Sequence, residues 1–309
     1  MTQTPSSAAA ALVYGAPPLA LADVPAGALQ VSPLSPGSTP FADLPDASAA
    51  EITVLAPPGT VERRYAMAQA LRVLKADGTL FVMAPKDRGG SRLAGDLERL
   101  GAPFAESARR HHRICQVRRP ADLTIALADI EDGAPRLDEA LSLWTQPGVF
   151  SWDRVDAGTA LLARALPKLS GKGADLGCGL GILSQVVLAS PGVTELAMVD
   201  IDRRAIDAAS RNVTDPRASL YWADLRGVEP PLADLNFVVM NPPFHDAGAE
   251  DRALGAVFIR RAAGALKKGG TCWLVANRHL PYEKVLKEHF SHVDLKGESG
   301  GYKVYETRK

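Results

Sequence analysis

Short apolar runs separated by stretches of helical spacing set the rhythm of this chain from Ile52 onward. Ile52-Thr53-Val54-Leu55 predicts a strand, Ala56-Pro57-Pro58-Gly59 breaks it, and Glu62 to Lys75 places its apolar residues at helical intervals. Thr79-Leu80-Phe81-Val82-Met83 predicts a second strand, Arg92 to Leu100 a second helix, and Arg113-Ile114-Cys115-Gln116-Val117 a closing strand. The same order returns near the other end. Phe237-Val238-Val239-Met240 predicts a strand broken by Asn241-Pro242-Pro243-Phe244, Asp251 to Lys267 a helix, Thr271-Cys272-Trp273-Leu274-Val275 a strand, Tyr282 to Phe290 a helix and Tyr302 to Glu306 a last strand. The junctions match as well: Leu74-Lys75-Ala76-Asp77-Gly78-Thr79 parallels Leu266-Lys267-Lys268-Gly269-Gly270-Thr271, and Ala56-Pro57-Pro58 stands where Asn241-Pro242-Pro243 stands. We read this as the duplication of one α/β domain, the alternative being two α/β halves that share elements by chance. Residues 1–50 are rich in Ala, Pro, Ser and Gly and carry short apolar pieces such as Leu12-Val13-Tyr14 that suit strands. The polar stretch from Ala128 to Pro135 suits a linker and sets the expected domains at 1–131 and 132–309.

Within the second half, Ala174 to Ser184 reads as a buried strand end, a glycine turn and the start of an apolar helix. A dinucleotide cradle would show G-x-G-x-x-G with a pyrophosphate on the helix terminus. Here the pattern is D-x-G-x-G-x-G, formed by Asp175, Gly177, Gly179 and Gly181 around Cys178, and an acid at its head suits a cationic ligand better than two phosphates. About 20 residues on, Asp200 stands at a strand end, where a carboxylate can accept both hydroxyl hydrogen bonds of a ribose. Asp224 closes the next strand, where it can accept from an adenine amino group. Asp200 can also cap the helix that follows, although Asp202 fits that position better.

Asn241-Pro242-Pro243-Phe244 places an amide, a carbonyl without a neighbouring N–H and an aromatic face in four consecutive residues. An exocyclic base amine is a poor nucleophile because its lone pair is conjugated with the ring. Asn241 and the Pro242 carbonyl can accept its two N–H bonds while Phe244 stacks on the base, with Pro243 in the same wall. Phe150 either flanks this site or belongs to the core or a hairpin.

The 309 residues, 46% of them hydrophobic, can fill two cores. The first ten residues lack a basic leader and no apolar run reaches a bilayer's thickness, so a soluble, cytoplasmic protein is expected. Cys115, Cys178 and Cys272 are too scattered for a disulfide framework or a zinc pair, and His289 with His292 lacks a third ligand, so no metal is expected. Asn212-Val213-Thr214 matches a glycosylation sequon, without meaning in a protein kept from the secretory route. Positive and negative residues balance at 35 each, which excludes a generally basic nucleic-acid binder. Arg109, Arg110 and Arg113, with Arg118 and Arg119, nevertheless form a dense cluster that reads either as an RNA-backbone contact or as a solvated face.

The glycine turn is similar to the first motif of class I S-adenosylmethionine-dependent methyltransferases, whose cofactor carries a sulfonium and an ammonium. Together with Pro147-Gly148-Val149-Phe150-Ser151, Asp156-Ala157-Gly158-Thr159, Asn241 to His245 and Tyr302-Lys303-Val304-Tyr305, it resembles the bacterial guanine-N2 methyltransferases of 16S ribosomal RNA. That resemblance covers residues 147 to 309 and implies two tandem Rossmann-like domains. The C-terminal one would hold a seven-stranded, mostly parallel sheet with an antiparallel last strand, and the N-terminal one would be degenerate. It further implies S-adenosylmethionine as methyl donor and ribosomal RNA or the small subunit as partner; a monomer is expected. Large-subunit guanine methyltransferases share these motifs. Adenine and glutamine methyltransferases usually end the motif in tyrosine, which Phe244-His245 does not. A non-catalytic RNA-binding assembly factor is the reading from another class, and the intact motifs argue against it.

Overall fold

The computed structural model describes residues 11–227, 230–243, 245–246, 249–250, 252–280 and 282–309. The chain divides after Ala134 into two compact units. The first runs β1 (Ala11–Tyr14), β2 (Leu29–Gln30), β3 (Ala49–Leu55), α1 (Thr60–Val73), β4 (Leu74–Pro85), α2 (Leu93–Arg99), β5 (Phe104–Arg109), β6 (His112–Val117) and α3 (Thr124–Asp132). Its six strands lie in the order β2-β1-β3-β4-β6-β5, parallel as far as β4 and antiparallel at β6 and β5.

The expected linker is shorter than its composition suggests. Ala128 to Asp132 form the end of α3, because Ala126 is buried in the core and Asp129 is buried in an ion pair with Arg99. Sequence reading also misses β5. Five of its six residues are exposed, so the edge strand carries no apolar alternation.

The second unit opens with a short antiparallel pair, β7 (Arg136–Asp138) and β8 (Leu143–Thr145). There follow α4 (Ala157–Ala165), β9 (Gly171–Leu176), α5 (Ile182–Leu188), β10 (Val193–Asp200), α6 (Arg203–Asn212), β11 (Ala218–Trp222) and β12 (Leu235–Met240). The chain continues through β13 (His245–Asp246), β14 (Ala249–Glu250), α7 (Arg252–Ala265), β15 (Leu266–Asn277), α8 (Tyr282–His289), β16 (His292–Ser299) and β17 (Tyr302–Arg308). The main sheet has seven strands in the order β11-β10-β9-β12-β15-β17-β16, and β17 runs antiparallel to both neighbours. Successive residues of each strand face opposite sides. Val239 and Trp273 pack with Leu162, Leu183 and Val187 on one face; Val238, Met240 and Leu274 pack with Ile259, Ala262 and Leu286 on the other. Helices on both sides therefore bury the sheet, and its carboxyl edge is left for a ligand.

The two units share a detail finer than strand order. β3 pairs Ala49 with Leu74 and then jumps to Glu51 with Thr79; β12 pairs Leu235 with Leu266 and then jumps to Phe237 with Thr271. The jump absorbs the matching Lys-and-Gly junctions, which pair with the sheet from Leu74 and Leu266 rather than extending the preceding helices. It also corrects the correspondence suggested by the paired prolines. Counted from the jump, Leu55 and not Ala56 falls at the position of Asn241, and Ala56 falls at Pro242. Among the described residues no helix is long and apolar enough to cross a membrane.

Candidate active site

The glycine turn joins β9 to α5 at the carboxyl edge of the sheet. Asp175, the penultimate residue of β9, is fully buried. Its Oδ2 accepts from Ser184 Oγ at 2.7 Å, and among the described residues its buried Oδ1 has no partner. Burial pushes this carboxyl up to about 7, against the pull of the Ser184 bond and with help from the nearby Asp200 charge. An unpaired buried carboxylate oxygen costs free energy unless something polar meets it. Asp200, ending β10, accepts from Gly179 N at 2.8 Å and Asp202 N at 2.9 Å, and burial still raises it to about 6. Gly179 takes φ of 52°, and among the described residues a Cβ there would meet nothing within 4 Å, so the turn presents bare backbone. Unpaired acid, ionisable neighbour and bare backbone together suit a ligand with cationic and hydroxyl groups, which fits the S-adenosylmethionine implied by the sequence resemblance.

Two other expected contacts are placed differently. Cys178 is buried, and burial holds its thiol well above the usual range, so it contributes backbone and no thiolate. Asp224 lies two residues beyond β11, and Arg226 grips its carboxylate with Nε at 2.9 Å and Nη2 at 2.8 Å. Burial acts to raise its pKa, but the Arg226 bonds outweigh it and the net shift is downward. Asp202 caps α6 by accepting from Arg204 N at 3.0 Å.

One cleft brings together Phe150, Asp156, Thr159, the turn from Gly177 to Leu180, and Asn241. Asn241 directly follows β12. Its Nδ2 donates to Asp156 Oδ2 at 3.0 Å and to Thr159 Oγ1 at 2.9 Å, and among the described residues nothing donates to its Oδ1. Pro242 is buried behind it and Pro243 is half-buried, while Phe244 lies outside the described residues. Phe150 is 56% exposed on a strap whose neighbour Val149 is buried. The strap is tied down ahead of Phe150: Asn212 exchanges bonds with Trp144 N at 2.7 Å and Trp144 O at 2.9 Å, and the buried Arg204 guanidinium reaches the carbonyls of Pro147 and Gly148. A third bond from Asn212 Nδ2, 3.0 Å to Leu180 O, joins the strap to the glycine turn. Core and hairpin roles therefore do not describe Phe150; it faces the cleft.

The arginine cluster does not stay together. Arg109, Arg110 and Arg113 surround the two-residue turn between β5 and β6, whereas Arg118 and Arg119 follow the opposite end of β6. Those two are structural: Arg118 bonds Asp77 O, Gly78 O and Thr79 Oγ1, and Arg119 bonds Leu71 O near the end of α1. At the tip, Arg110 and His111 take φ of 44° and 61°, a primed turn normally filled by Asn-Gly. Arg113 pairs with Glu106 at 3.0 Å, and His112 Nδ1 lies 2.9 Å from Arg110 O. Among the described residues no three His, Cys, Asp or Glu side chains gather as a metal site requires.

Asp156, Thr159, Tyr302, Arg204 and Asn212 complete the site without having been assigned a role by sequence. Asp156-Ala157-Gly158-Thr159 carries a capping pattern that sequence could reveal; partners 32 to 146 positions apart carry no local signal.

The family model described as methyltransferase small domain matches residues 140–306. The chain is 31% identical over 258 residues to a ribosomal RNA small subunit methyltransferase C of Shewanella sediminis, covering 76% of this chain and 70% of that one. It is 30% identical over 280 residues to the protein of the same name from Pseudomonas fluorescens, covering 89% and 84%. In fold it is similar, with a TM-score of 0.78 and 21% identity, to a T. thermophilus 16S rRNA N2 methyltransferase solved with AdoMet and guanosine, over 100% of this chain and 90% of that one.

Proposed function

Because the chain belongs to the methyltransferase small domain family, among the small-subunit ribosomal RNA methyltransferases, we propose that it transfers a methyl group from S-adenosylmethionine to the exocyclic amine of a guanine in 16S ribosomal RNA. The observation that carries this reading is the single cleft in which the glycine turn, the Asn241 amide and the exposed ring of Phe150 meet. Bound there, the cofactor supplies an electrophilic methyl on a sulfonium.

The chain's own residues do the rest by position. Asp175 and Asp200 hold the donor's cationic and hydroxyl groups beside the backbone of Gly177, Cys178, Gly179 and Gly181. Asp224 stands at the next strand end, where release from Arg226 would free it for the adenine. Asn241 Oδ1 and the Pro242 carbonyl accept from the guanine amine and concentrate electron density on its nitrogen, with Phe150, Pro243 and Phe244 bracketing the base. Such placement carries the transfer itself, since orientation of a reactive pair can lower a barrier by about 7 to 11 kcal/mol, and the proton leaves the newly methylated nitrogen for solvent.

Arg109, Arg110 and Arg113 hold RNA backbone from the hairpin tip. Two non-glycine residues in left-handed conformation cost about 1 to 2 kcal/mol each, and strain of this kind gathers at functional sites. The expected setting is the cytoplasm, where ribosomal RNA is made. Mass spectrometry of 16S nucleosides from a strain lacking this gene tests the reading. One N2-methylguanosine should disappear and return with the parent gene; an unchanged 16S inventory, or a loss from large-subunit RNA instead, would overturn it.

A further inference from the structure

Two stretches prominent in the sequence, Asp156-Ala157-Gly158-Thr159 and Tyr302-Lys303-Val304-Tyr305, take no part in the methyl transfer described above. The fold brings them to one point. Asp156 Oδ2 accepts Thr159 N–H at 2.8 Å, closing the first turn of α4, and the same oxygen accepts from Asn241 Nδ2 at 3.0 Å. Its other oxygen accepts from the Tyr302 hydroxyl at 3.4 Å. Tyr302 can come this near because residue 158 is glycine: a Cβ there would lie 2.8 Å from ring atoms Cδ1 and Cε1.

We infer that Asp156, braced by Thr159 and Tyr302, is a positioning residue that fixes which way round the Asn241 amide faces the acceptor amine. The inference rests on the methyl-transfer reading above. An asparagine amide has two nearly isosteric orientations, one offering oxygen and the other NH2 to whatever lies beyond. An ionised carboxylate only accepts, so Asp156 admits the amide with its nitrogen inward and repels the flipped form, in which two oxygens would meet. The Asn241 oxygen is thereby turned toward the cleft, where a base amine donates. Thr159 Oγ1 alone could not impose this, because a hydroxyl both donates and accepts. The cap and the anchor are thus one carboxylate serving two ends, which explains why sequence displays only the capping half.

Asp156→Ser separates the two roles. Serine also caps helices well, but its shorter side chain falls short of Asn241. The test uses the full chain, small ribosomal subunits from the deletion strain, and single-turnover methyl transfer at saturating donor. Asp156→Ser should fold, bind donor within about threefold of the parent and transfer methyl about tenfold to a hundredfold more slowly, a smaller effect than removal of the transition-state acceptor itself. Tyr302→Phe, which keeps the ring against Gly158, should slow transfer by a few-fold. In an Asn241→Ala background, Asp156→Ser should cost nothing further, because its effect passes through the missing amide. A parental rate for Asp156→Ser, a donor affinity that falls as far as the rate, or an equal loss in the Asn241→Ala background would each overturn the inference. Should Asn241→Ala itself run at the parental rate, the functional reading falls, whatever Asp156 does.

Discussion

Laid on their shared register jump, the two units correspond position by position and part where ligand chemistry begins. β1 corresponds to β9, so Gly15 answers Gly177, with φ of 79° and 76°, and each lies beside the residue after or at the end of the neighbouring strand, Leu55 or Asn241. Val13 stands where the second unit has Asp175, Pro17 where it has Gly179, Ser32 where it has Asp200 and Leu55 where it has Asn241. Ser32 Oγ even accepts Leu34 N at 3.3 Å, as Asp200 accepts Asp202 N at 2.9 Å, so the turn survives and the charge is gone. Where a ligand would approach, Gln30 closes the gap: its Oε1 takes the N–H groups of Gly15, Val31 and Ser32, and its Nε2 returns a bond to Gly15 O. Among the described residues the first unit also lacks a strand equivalent to β11. The lesson is that backbone path and chemistry are separable. The same path carries an open, acidic turn in the second unit and a turn sealed by Gln30 in the first.

The sharpest way to break this comparison is to erase the difference at one position. Asn241→Ala removes the oriented acceptor and should slow single-turnover transfer by about a hundredfold to a thousandfold, about 2.7 to 4 kcal/mol, with folding retained. The reciprocal Leu55→Asn should confer no second activity and no second donor site, since Val13, Pro17 and Ser32 remain. A rate within a few-fold of the parent for Asn241→Ala would dissolve the distinction between the units.

A smaller effect asks what the first unit does instead. Reversing Arg109, Arg110 and Arg113 to glutamate should weaken RNA binding by tens of fold at low salt, and the log–log salt slope should become shallower by about 0.7 to 0.9 for each phosphate no longer neutralised. Donor affinity, measured by calorimetry, should stay unchanged. Undiminished RNA affinity at low salt would make the hairpin tip an ordinary solvated surface.

The smallest effect concerns Asp175, whose counterpart Val13 cannot titrate. Its carboxyl is raised to about 7, so between the unfolded value near 3.8 and that point the native protein holds a proton that the unfolded chain has released. That contribution to unliganded stability is therefore lost as pH rises through this window, and Asp200, raised to about 6, adds to it with the same sign. A cationic donor prefers the ionised form, so its affinity should strengthen by about tenfold from roughly pH 5.5 to pH 8, with proton release on binding at the lower pH. Asp175→Asn should flatten that dependence. A parental slope in this variant would assign the titration to another group, Asp200 first.

Much of this is legible in the chain because it is local. The D-x-G-x-G-x-G turn, the acids at strand ends and the Asn241 motif announce themselves in consecutive residues, and the parallel strands of the second half follow from its apolar runs, whereas β16, almost wholly exposed, does not. What stays hidden is non-local or apolar-poor. β5 is invisible because Phe104 to Arg109 turns almost every side chain to solvent, and without β5 the hairpin turn at Arg110-His111 goes unseen, so the arginines at the two ends of β6 read as one cluster. The repeated Pro-Pro pair draws Ala56 onto Asn241, and only the pairing of Glu51 with Thr79 and Phe237 with Thr271 moves the match to Leu55. Asp156 sits 85 positions from Asn241 in sequence and 3.0 Å from it in space. No period or spacing reports such a neighbour.

Asn212 carries a consequence for how the protein can be made. It heads the sequon Asn212-Val213-Thr214, and its amide nitrogen spends both hydrogens, one on Trp144 O and one on Leu180 O. A sugar attached to that nitrogen leaves a single N–H, so one carbonyl loses its donor and a bulky glycan is forced against the strap that carries Phe150. Routed through a eukaryotic secretory pathway, the chain would offer its glycosylation machinery the one asparagine that ties the acceptor wall to the donor turn. Expression hosts that keep it in the cytosol spare that bond.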